Sequence, residues 1–483
     1  MTHSPARCSI VPPYLLAALA ASGDDHVAQR ADATLRSDAA LRRGRVTAEA
    51  RPGGTTLPGG AAGSADGPQR TVHDAQQGTT LPGVKVRGEG DPATADTAVT
   101  EAYDGLGATW QLWQEAYGRN SLDGKGLPLV ATVHYGRDYD NAFWDGAQMV
   151  FGDGDGEVFL GFTRSLDVIG HELAHGVTQY TAGLNYQGQS GALNESVSDV
   201  FGVLVKQHSL GQDAAAADWL IGADLLAPGV QGVALRSMAA PGTAYDDPRL
   251  GKDPQPAHLR DYVETSEDNG GVHINSGIPN KAFHDLAVAL GGNAWEVAGQ
   301  VWFDTIVGEI RADCDFATFA GLTLAAATAR YGEGSREAEA VRVAWSGVGV
   351  EVGTDAPAPG SPAPQAPGTP APDAPAPTPD APEAPAPGTE LEVRRTGGFA
   401  GRTRTRTVVL GELPEPDNRA WHDLIATDRL RMLAAGVERE YPDAYCYGVR
   451  CAVPEVDVVV PEPALTDDVR DLFERTLRPH TDG

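Results

Sequence analysis

The segment LDVIGHELAHGVTQYTAG, residues 166–183, combines an apolar helical pattern with three side chains that could do chemistry. His171 and His175 are four residues apart, so a helix places both on one face, with Cβ atoms about 5–6 Å apart. Two imidazoles at that separation can ligate one zinc ion. Glu172 lies one residue further round the helix, where its carboxylate can act as a general base toward a water molecule at the metal.

The apolar surroundings of these groups argue against a chance match. Burying two imidazoles and a carboxylate without compensation would cost on the order of several kcal/mol, a cost that metal coordination removes. A catalytic zinc usually takes three protein ligands, so a third is expected on the next helix. The segment GALNESVSDVFG offers Glu195 as that ligand. Asp199, one turn later, is expected to accept a hydrogen bond from a ligand imidazole.

Charge and composition narrow the class of protein. The chain has 483 residues and a formal net charge of −29, which argues against nucleic acid or an anionic membrane surface as a partner. No apolar run is long enough to cross a membrane. Four cysteines in a chain of this length do not predict a disulfide scaffold. The N-terminus mimics a secretory signal only weakly, because its basic charge is thin and Pro12 and Pro13 interrupt it.

Composition also divides the chain into four segments, and the second of them, residues 71–352, is divided again by its strand-like and helical runs. Residues 1–70 are rich in Ala, Arg and Gly and are expected to fold only against another part of the protein. Residues 71–182 carry short strand-like runs before the His-Glu-x-x-His helix, and residues 183–352 carry helical runs. This order predicts an α+β fold with a β-rich lobe and a helical lobe. Residues 353–390 form a Pro/Ala-rich linker, and residues 391–483 a separate small α+β domain.

Five motifs make the chain similar to the thermolysin family of zinc metalloendopeptidases over about residues 71–350. They occur along the chain in the same order as in that family. The motifs are HELAH, GALNESVSDVFG, NAFWDGAQMVFGDGDG, LRSM and DNGGVHINSGIPNKAF. The resemblance implies a two-lobed thermolysin-like catalytic domain. It also implies that His171, His175 and Glu195 bind one zinc ion and that Glu172 is the catalytic base.

The same resemblance assigns groups around the reacting bond. It implies that His273, oriented by Asp268, and Tyr186 stabilise the oxyanion of the tetrahedral intermediate. Asn141 and Ala142 of NAFW would hold the substrate backbone.

On the primed side of the cleaved bond, the resemblance implies that Arg236 holds a substrate carbonyl. The pocket just after that bond would be apolar and would favour cleavage before Leu, Ile, Phe or Val. The residues that would line this pocket are Phe159, Phe162, Val168 and Leu235.

The double calcium site of thermolysin-like enzymes is not expected here. Its ligand positions are occupied by Asp167, Lys206, Asp218, Leu220 and Ala223. Calcium needs six to eight oxygen ligands, and too few remain. We expect the Lys206 ammonium to replace the ions by pairing with Asp167 or Asp218.

The segment PPYLL, residues 12–16, and the short N-terminal region resemble the protealysin branch of the family. The resemblance implies that residues 1–70 are an autoinhibitory propeptide, that its Pro-Pro segment occupies the substrate groove, and that it is cut near Arg70–Thr71. It also implies that no standard signal peptide precedes it. Cys8 could instead be a thiolate ligand of the zinc, or an ordinary thiol.

The stretch VRRTGGFAGRTRT, residues 393–405, resembles emfourin, a small protein inhibitor of protealysin. This resemblance implies a second intramolecular inhibitor, acting in cis or in trans. The linker of about 36 residues could extend to ~110 Å, far enough to reach the active site of the same chain. An adhesion or substrate-presenting module is the alternative. Cys446 and Cys451 could clip a hairpin or remain thiols.

Together these patterns predict a monomeric, zinc-dependent neutral endopeptidase that acts on proteins and peptides and is made as an autoinhibited precursor. It would act outside the cell by a route without an obvious signal peptide, or in the cytoplasm. The alternative is a protease-fold interaction or effector protein whose C-terminal domain binds a partner. A structural zinc protein would need a fourth protein ligand, and none is apparent in the part of the chain that follows the propeptide.

Overall fold

The computed structural model describes residues 9–48, 67–352, 389–397, 404–426, 445–451, 456–461, 465 and 467–477. Cys8 and nearly all of the Pro/Ala-rich linker lie outside these residues. The chain divides into two compact units, Met1–Pro364 and Gln365–Gly483. In the described part, no helix combines the length and the apolar composition needed to cross a bilayer.

The first unit begins with two helices, α1 (Pro13–Ala20) and α2 (Asp25–Ala48). Pro13 is the first residue of α1, where its fixed φ favours a helix and its missing N–H costs nothing. The residues of α1 that face the rest of the unit are Leu15, Leu16 and Leu19, all buried. These helices therefore pack on the remainder of the unit, as expected for a segment with little apolar content of its own.

A five-stranded sheet follows, with the order β2-β1-β3-β5-β4. Its strands are β1 (Arg70–Asp74), β2 (Val84–Gly88), β3 (Leu129–Val133), β4 (Ala142–Trp144) and β5 (Met149–Phe151). The pairs β1–β3 and β3–β5 are parallel, and the two outer pairs are antiparallel. Helix α3 (Thr97–Tyr117) packs on the sheet, capped at its start by Asp96. Strand β4 is an edge strand, so one side of its backbone is open to another extended segment.

The rest of the first unit is mainly helical. Its helices are α4 (Leu166–Gln179), α5 (Gly188–Leu210), α6 (Asp268–Asn275), α7 (Gly277–Leu290), α8 (Ala298–Val307), α9 (Phe316–Tyr331) and α10 (Arg336–Gly347). Two short antiparallel pairs lie between α5 and α6: β6 (Leu220–Ile221) with β7 (Arg236–Ser237), and β8 (Asp246–Asp247) with β9 (Gly251–Lys252). The predicted α+β fold with a β-rich and a helical part is confirmed.

Helices α4 and α5 approach each other closely because of a glycine. A Cβ atom on Gly202 would lie 2.5 Å from the backbone oxygen of Asp167 and 3.0 Å from the backbone nitrogen of His171. No larger residue fits at 2.5 Å without moving the backbone of α4. The glycine thus lets α5 bring its side chains to the face of α4 that carries the two histidines.

The second unit is built on a four-stranded antiparallel sheet with the order β11-β10-β12-β13. Its elements are β10 (Glu390–Gly397), β11 (Arg404–Val409), α11 (Glu415–Ala426), β12 (Tyr445–Cys451), β13 (Val456–Pro461) and α12 (Asp467–Leu477). Trp421 and Phe473 anchor the two helices in its core. Cys446 and Cys451 lie on the same strand and form no disulfide, since five residues of strand separate them by about 16 Å.

Candidate active site

The three predicted zinc ligands meet between α4 and α5. His171 Nε2 and His175 Nε2 are 3.1 Å apart, and each lies 3.6 Å from a carboxylate oxygen of Glu195. All three side chains are buried, and their ligand atoms lie within 4.8 Å of one another. Among the described residues no other group of His, Cys, Asp or Glu has this arrangement. Two imidazoles and one carboxylate are the ligand set of an open, catalytic zinc site.

The hydrogen bonds at the Nδ1 atoms of the two histidines fix the tautomer that a metal ion requires. His171 Nδ1 donates to Asp199 Oδ1 at 2.7 Å, and His175 Nδ1 donates to Asn194 Oδ1 at 2.8 Å. Each Nε2 atom therefore carries a lone pair directed at the centre of the site. Burial lowers the pKa of His175 to about 4, which keeps this ring neutral. The residues present therefore fit a zinc ion.

Asp199, next to the zinc ligands, accepts hydrogen bonds from three side chains. It is buried and accepts hydrogen bonds from Arg236 Nε at 2.9 Å and Nη2 at 2.8 Å, and from Asn280 Nδ2 at 2.8 Å, besides the bond from His171. Burial raises the pKa of Asp199, but the charge of Arg236 and the hydrogen bonds from His171 and Arg236 outweigh it and hold the pKa well below its usual range. The expected hydrogen bond between Asp199 and a ligand imidazole is present.

Glu172 occupies the position expected of a general base. Its side chain is buried, and Oε2 accepts a hydrogen bond from the Trp144 N–H of β4 at 3.0 Å. Burial and the nearby Glu195 charge raise the pKa of Glu172 well above its usual value. A raised pKa lets the carboxylate accept a proton from water and hold it until the proton is transferred to the leaving group, as a general base at neutral pH must.

His273, Asp268 and Tyr186 converge beside the ligand Glu195, which lies 3.5 Å from His273 Nε2. His273 Nδ1 donates to Asp268 Oδ1 at 2.6 Å, while Asp268 Oδ2 accepts the backbone N–H of His273 at 2.9 Å. His273 Nε2 lies 3.2 Å from the Tyr186 hydroxyl, which also bonds to Glu195. Burial lowers the pKa of His273, but the charges of Asp268 and Glu195 raise it overall. The imidazolium can therefore donate to a developing negative charge.

A sharp backbone turn places Asp268 and His273 together. Four successive residues, Asp268 to Gly271, have positive φ angles, from 51° to 83°. Glycine occupies two of these positions, where left-handed backbone costs least. The Gly-Gly pair of the DNGGVHINSG motif is thus a requirement of the turn.

The four residues that are predicted to line the specificity pocket are apolar and buried. Phe159, Phe162 and Val168 are completely buried, and Leu235 is 2% exposed. The rings of Phe159 and Phe162 are in contact, with centroids 5.9 Å apart.

The groove along edge strand β4 is occupied by residues just before α1. The Ile10 N–H donates to the Ala142 carbonyl at 3.1 Å, and the Ile10 carbonyl accepts from Arg236 Nη1 at 3.2 Å. Val11 exchanges two bonds with the Asn141 side chain, at 2.9 and 3.2 Å. Thus Asn141, Ala142 and Arg236 all bind extended backbone. Ile10 and Val11 make these contacts in place of the expected Pro-Pro segment, because proline has no N–H to donate and Pro13 begins a helix.

Helix α2 supplies anchors that the sequence did not predict. Asp38 accepts a hydrogen bond from the Tyr139 hydroxyl at 2.5 Å and another from Asn141 Nδ2 at 3.1 Å. Arg30 pairs with Glu157 at 2.9 Å and with Asp138 at 3.6 Å. The charges in the sequence could have indicated this contact, because the first segment is rich in Arg and the stretch of residues 138–157 is acidic.

Lys206 lies between the two acidic residues that remain at the position of the calcium site. Its Nζ is 3.1 Å from Asp167 Oδ2 and 2.9 Å from Asp218 Oδ2. The prediction of a lysine pair is confirmed, with both partners engaged at once. That calcium does not bind here stays a prediction.

The fold and the site together define a class of protein. The site is that of a zinc-dependent peptidase. It combines two histidines of one helix, a glutamate of the next helix, a buried carboxylate beside them and a β-rich part with an edge strand.

Comparison with known proteins gives the family. The model described as "Thermolysin metallopeptidase, catalytic domain" matches residues 65–179, and "Thermolysin metallopeptidase, alpha-helical domain" matches residues 182–350. The chain belongs to the thermolysin family of metallopeptidases.

Individual relatives agree with this assignment. An extracellular metalloprotease of Pectobacterium carotovorum subsp. carotovorum is 52% identical over 349 residues, which cover 71% of this chain and 97% of the relative. A thermolysin of Alicyclobacillus acidocaldarius subsp. acidocaldarius is 40% identical over 289 residues, 58% of this chain and 50% of the relative. The solved precursor of protealysin, a metalloproteinase from Serratia proteamaculans, superposes with a TM-score of 0.64 at 52% identity, covering 71% of this chain and 99% of that one.

The C-terminal unit has its own match. The family model "Emfourin" covers residues 393–477. The predicted recognition, a thermolysin-family enzyme of the protealysin-like branch with a C-terminal emfourin domain, is confirmed.

Proposed function

We propose that this metallopeptidase cleaves peptide bonds on the N-terminal side of hydrophobic residues and is made as a precursor that inhibits itself. The observation that carries the proposal is the occupation of the groove. Ile10 and Val11 make four hydrogen bonds with Asn141, Ala142 and Arg236, the residues proposed to hold a substrate backbone. A chain held in this way excludes a substrate from the same groups.

The residues divide the catalytic work as follows. When bound, zinc supplies a Lewis acid to the scissile carbonyl and to the attacking water. Glu172 takes the proton of the water and passes it to the leaving nitrogen. His273 and Tyr186 donate hydrogen bonds to the carbonyl oxygen as its negative charge grows. Asp199 orients a ligand imidazole and balances the charge of Arg236.

The preference for a hydrophobic residue rests on the pocket of Phe159, Phe162, Val168 and Leu235. Because its lining is apolar, a charged side chain placed there would lose its hydration without gaining a partner. The full size of Phe162 favours branched aliphatic residues over the largest aromatic ones. A set of quenched peptides that differ only in the residue after the cleaved bond tests this. Faster cleavage before Asp or Gly than before Leu would contradict it.

Autoinhibition is tested by comparing the full chain with a form from which the first segment has been removed. Casein hydrolysis is expected to be low in the full chain, high after removal, and absent when 1,10-phenanthroline is added. Glu172→Gln is the matched control, because it preserves the groove and removes the base. Equal activity with and without the first segment would contradict the proposal.

The extent of the propeptide follows from the position of Arg70. Arg70 is the first residue of β1 and is paired through its guanidinium with Glu89 at 2.6 Å. A peptide bond inside a paired strand is poorly accessible to a protease. This supports a cut a few residues before Arg70 rather than between Arg70 and Thr71. N-terminal sequencing of the purified active form locates the cut and tests whether a longer leader was removed.

The emfourin domain is proposed as a second inhibitor. Its tether gives an effective concentration of up to about the mM range at the active site of the same chain, if the linker spans the distance. Deleting residues 391–483 from the chain that lacks the propeptide should then raise activity, and the free domain should lower it again. Unchanged activity in both experiments would refute this.

We place the enzyme outside the cell because related proteases are extracellular, and its recovery from culture medium tests that placement.

A further inference from the structure

The segment in the groove has a defined register with respect to the catalytic residues. We infer that the Ser9–Ile10 peptide bond lies where the scissile bond of a substrate lies, and that the precursor hydrolyses this bond itself. The inference rests on the proposed function and adds a cleavage site to it.

The register follows from the nitrogen of Ile10. Its N–H donates to the Ala142 carbonyl at 3.1 Å and also faces the carboxylate of Glu172. Glu172 is the residue that must deliver a proton to a leaving nitrogen, so the nitrogen beside it is the leaving one. The carbonyl carbon bonded to that nitrogen belongs to Ser9. Ser9 in turn pairs antiparallel with Phe143 of β4, so the chain is extended on both sides of the bond.

The residues after this bond fit the primed side of the groove. Ile10 and Val11 are completely buried. The Ile10 carbonyl accepts from Arg236, the residue expected to hold the first carbonyl after the cleaved bond. Ile10 is a branched apolar residue, the type that the pocket favours. The carbonyl and the nitrogen thus agree on one register, and the side chain is of the type that the proposed specificity favours.

The bonds that follow Ile10 are unsuited to the reaction. Pro12 has no N–H to donate to Ala142 or Glu172, and Pro13 begins α1. A helix cannot lie along an edge strand as an extended substrate does. The Val11 N–H, in contrast, donates to Asn141 Oδ1 at 2.9 Å. Within residues 9–13, Ser9–Ile10 is therefore the bond whose nitrogen faces Glu172.

The chemistry of the cut is ordinary hydrolysis. The hydroxyl of a water molecule adds to the carbonyl carbon of Ser9, its proton goes to the nitrogen of Ile10, and the bond between these atoms breaks. The proton of the new carboxyl group also passes to this nitrogen, so the products are a Ser9 carboxylate and an Ile10 ammonium group, with no change of oxidation state. Residues 10–48 keep their bonds to Asn141 and Arg236, and α2 keeps its anchors at Arg30 and Asp38. The cut chain is therefore still inhibited.

The test follows the intact mass and the N-terminal sequence of the purified, zinc-loaded full chain with time. The expected product begins at Ile10, forms with the same first-order rate constant after dilution, and is absent in Glu172→Gln. Ile10→Val should be cut at the same bond, and Ile10→Asp should not. Site-resolved hydrogen exchange of the metal-free full chain gives a second readout. The amides of Ile10 and Val11 should be protected, and the Val11 amide should lose its protection in Asn141→Ala.

The outcomes separate this inference from the proposed function. If the enzyme freed of its first segment hydrolyses casein while the full chain keeps residues 1–9, the inference is wrong and the proposed function stands. A rate that rises with protein concentration, or rapid exchange of the Ile10 amide in the metal-free chain, would also overturn it. If the freed enzyme hydrolyses nothing, the proposed function itself fails.

Discussion

Replacing Lys206 by methionine tests whether an ammonium group takes the place that calcium ions would have at this site. Lys206→Met keeps the length and apolar contacts of the stem and removes only the charge. The two partners differ in exposure: Asp167 is 1% exposed, whereas the side chain of Asp218 is 46% exposed. The two pairs therefore contribute differently to the free energy of unfolding.

The size of the effect can be worked from these contacts. Removing one partner of a buried pair costs about 3–5 kcal/mol, because the other charge is left uncompensated. Asp167 keeps hydrogen bonds from Ser165 Oγ at 2.7 Å and Gly222 N–H at 3.1 Å, which favours the lower end. The exposed pair with Asp218 contributes below about 1 kcal/mol. We therefore expect Lys206→Met to lose about 3 kcal/mol and Asp218→Asn less than about 1 kcal/mol.

Thermal unfolding followed by tryptophan fluorescence measures the difference. The variants are compared in a Glu172→Gln background, which prevents self-digestion, and at a fixed zinc concentration. At 2–4 °C per kcal/mol, Lys206→Met should lower the Tm by about 6–12 °C. Added calcium should leave the Tm of the parent protein unchanged. A Lys206→Met variant as stable as Asp218→Asn, or a parent protein that calcium stabilises by several degrees, would refute the reasoning.

Three further predictions concern the groups around the site. Asp199→Asn should weaken zinc binding by about 10–100-fold, measured against a chromogenic chelator, and an unchanged affinity would contradict the role of its bond to His171. Hydrogen bonds to Asp153 and Asp96 raise the pKa of His134 from 6.5 to about 9. Folding favours the charged form of His134, so the stability that His134 provides is complete below pH 6.5 and is lost as the pH rises through about 9. The Tm difference between the parent and His134→Gln should therefore shrink between these two pH values. A difference that stayed constant would contradict the role of His134. Arg30→Gln should speed the onset of casein hydrolysis by no more than about thirtyfold, because its two partly exposed ion pairs together contribute below about 2 kcal/mol. A much larger effect would show that α2 is held mainly by this residue.

The catalytic centre was the most predictable part of the molecule. The spacing of His171 and His175 follows from helical geometry, and Glu195 and Asp199 follow from the need for a third ligand and its support. These positions are constrained by the metal, so the residue types alone carry the information. The fold class was predictable for a similar reason, since the order of strand-like and helical runs survives in the structure.

What the sequence did not give were contacts between distant segments. Nothing in the residue pattern pairs Asp38 with Tyr139 or Arg30 with Glu157, because each is an ordinary polar residue until the chain brings the two together. The residue pattern assigns no role to Asn194, Trp144 or Asn280, although all three lie within the motifs of the family. Their roles depend on which atom faces the site, and that is set by packing. The exchange of the Pro-Pro segment for Ile10 and Val11 has the same origin, because the donor N–H groups decide which residues pair with β4.

The central claim is that Glu172 transfers the proton in a zinc-dependent hydrolysis. Its most direct test is the kcat/KM of Glu172→Gln for a quenched peptide, measured after removal of the first segment and alongside the zinc content. We predict one zinc per chain, as in the parent enzyme, and a loss of at least about 100-fold in kcat/KM. A variant that retained its zinc and cleaved the peptide at the parental rate would contradict the account.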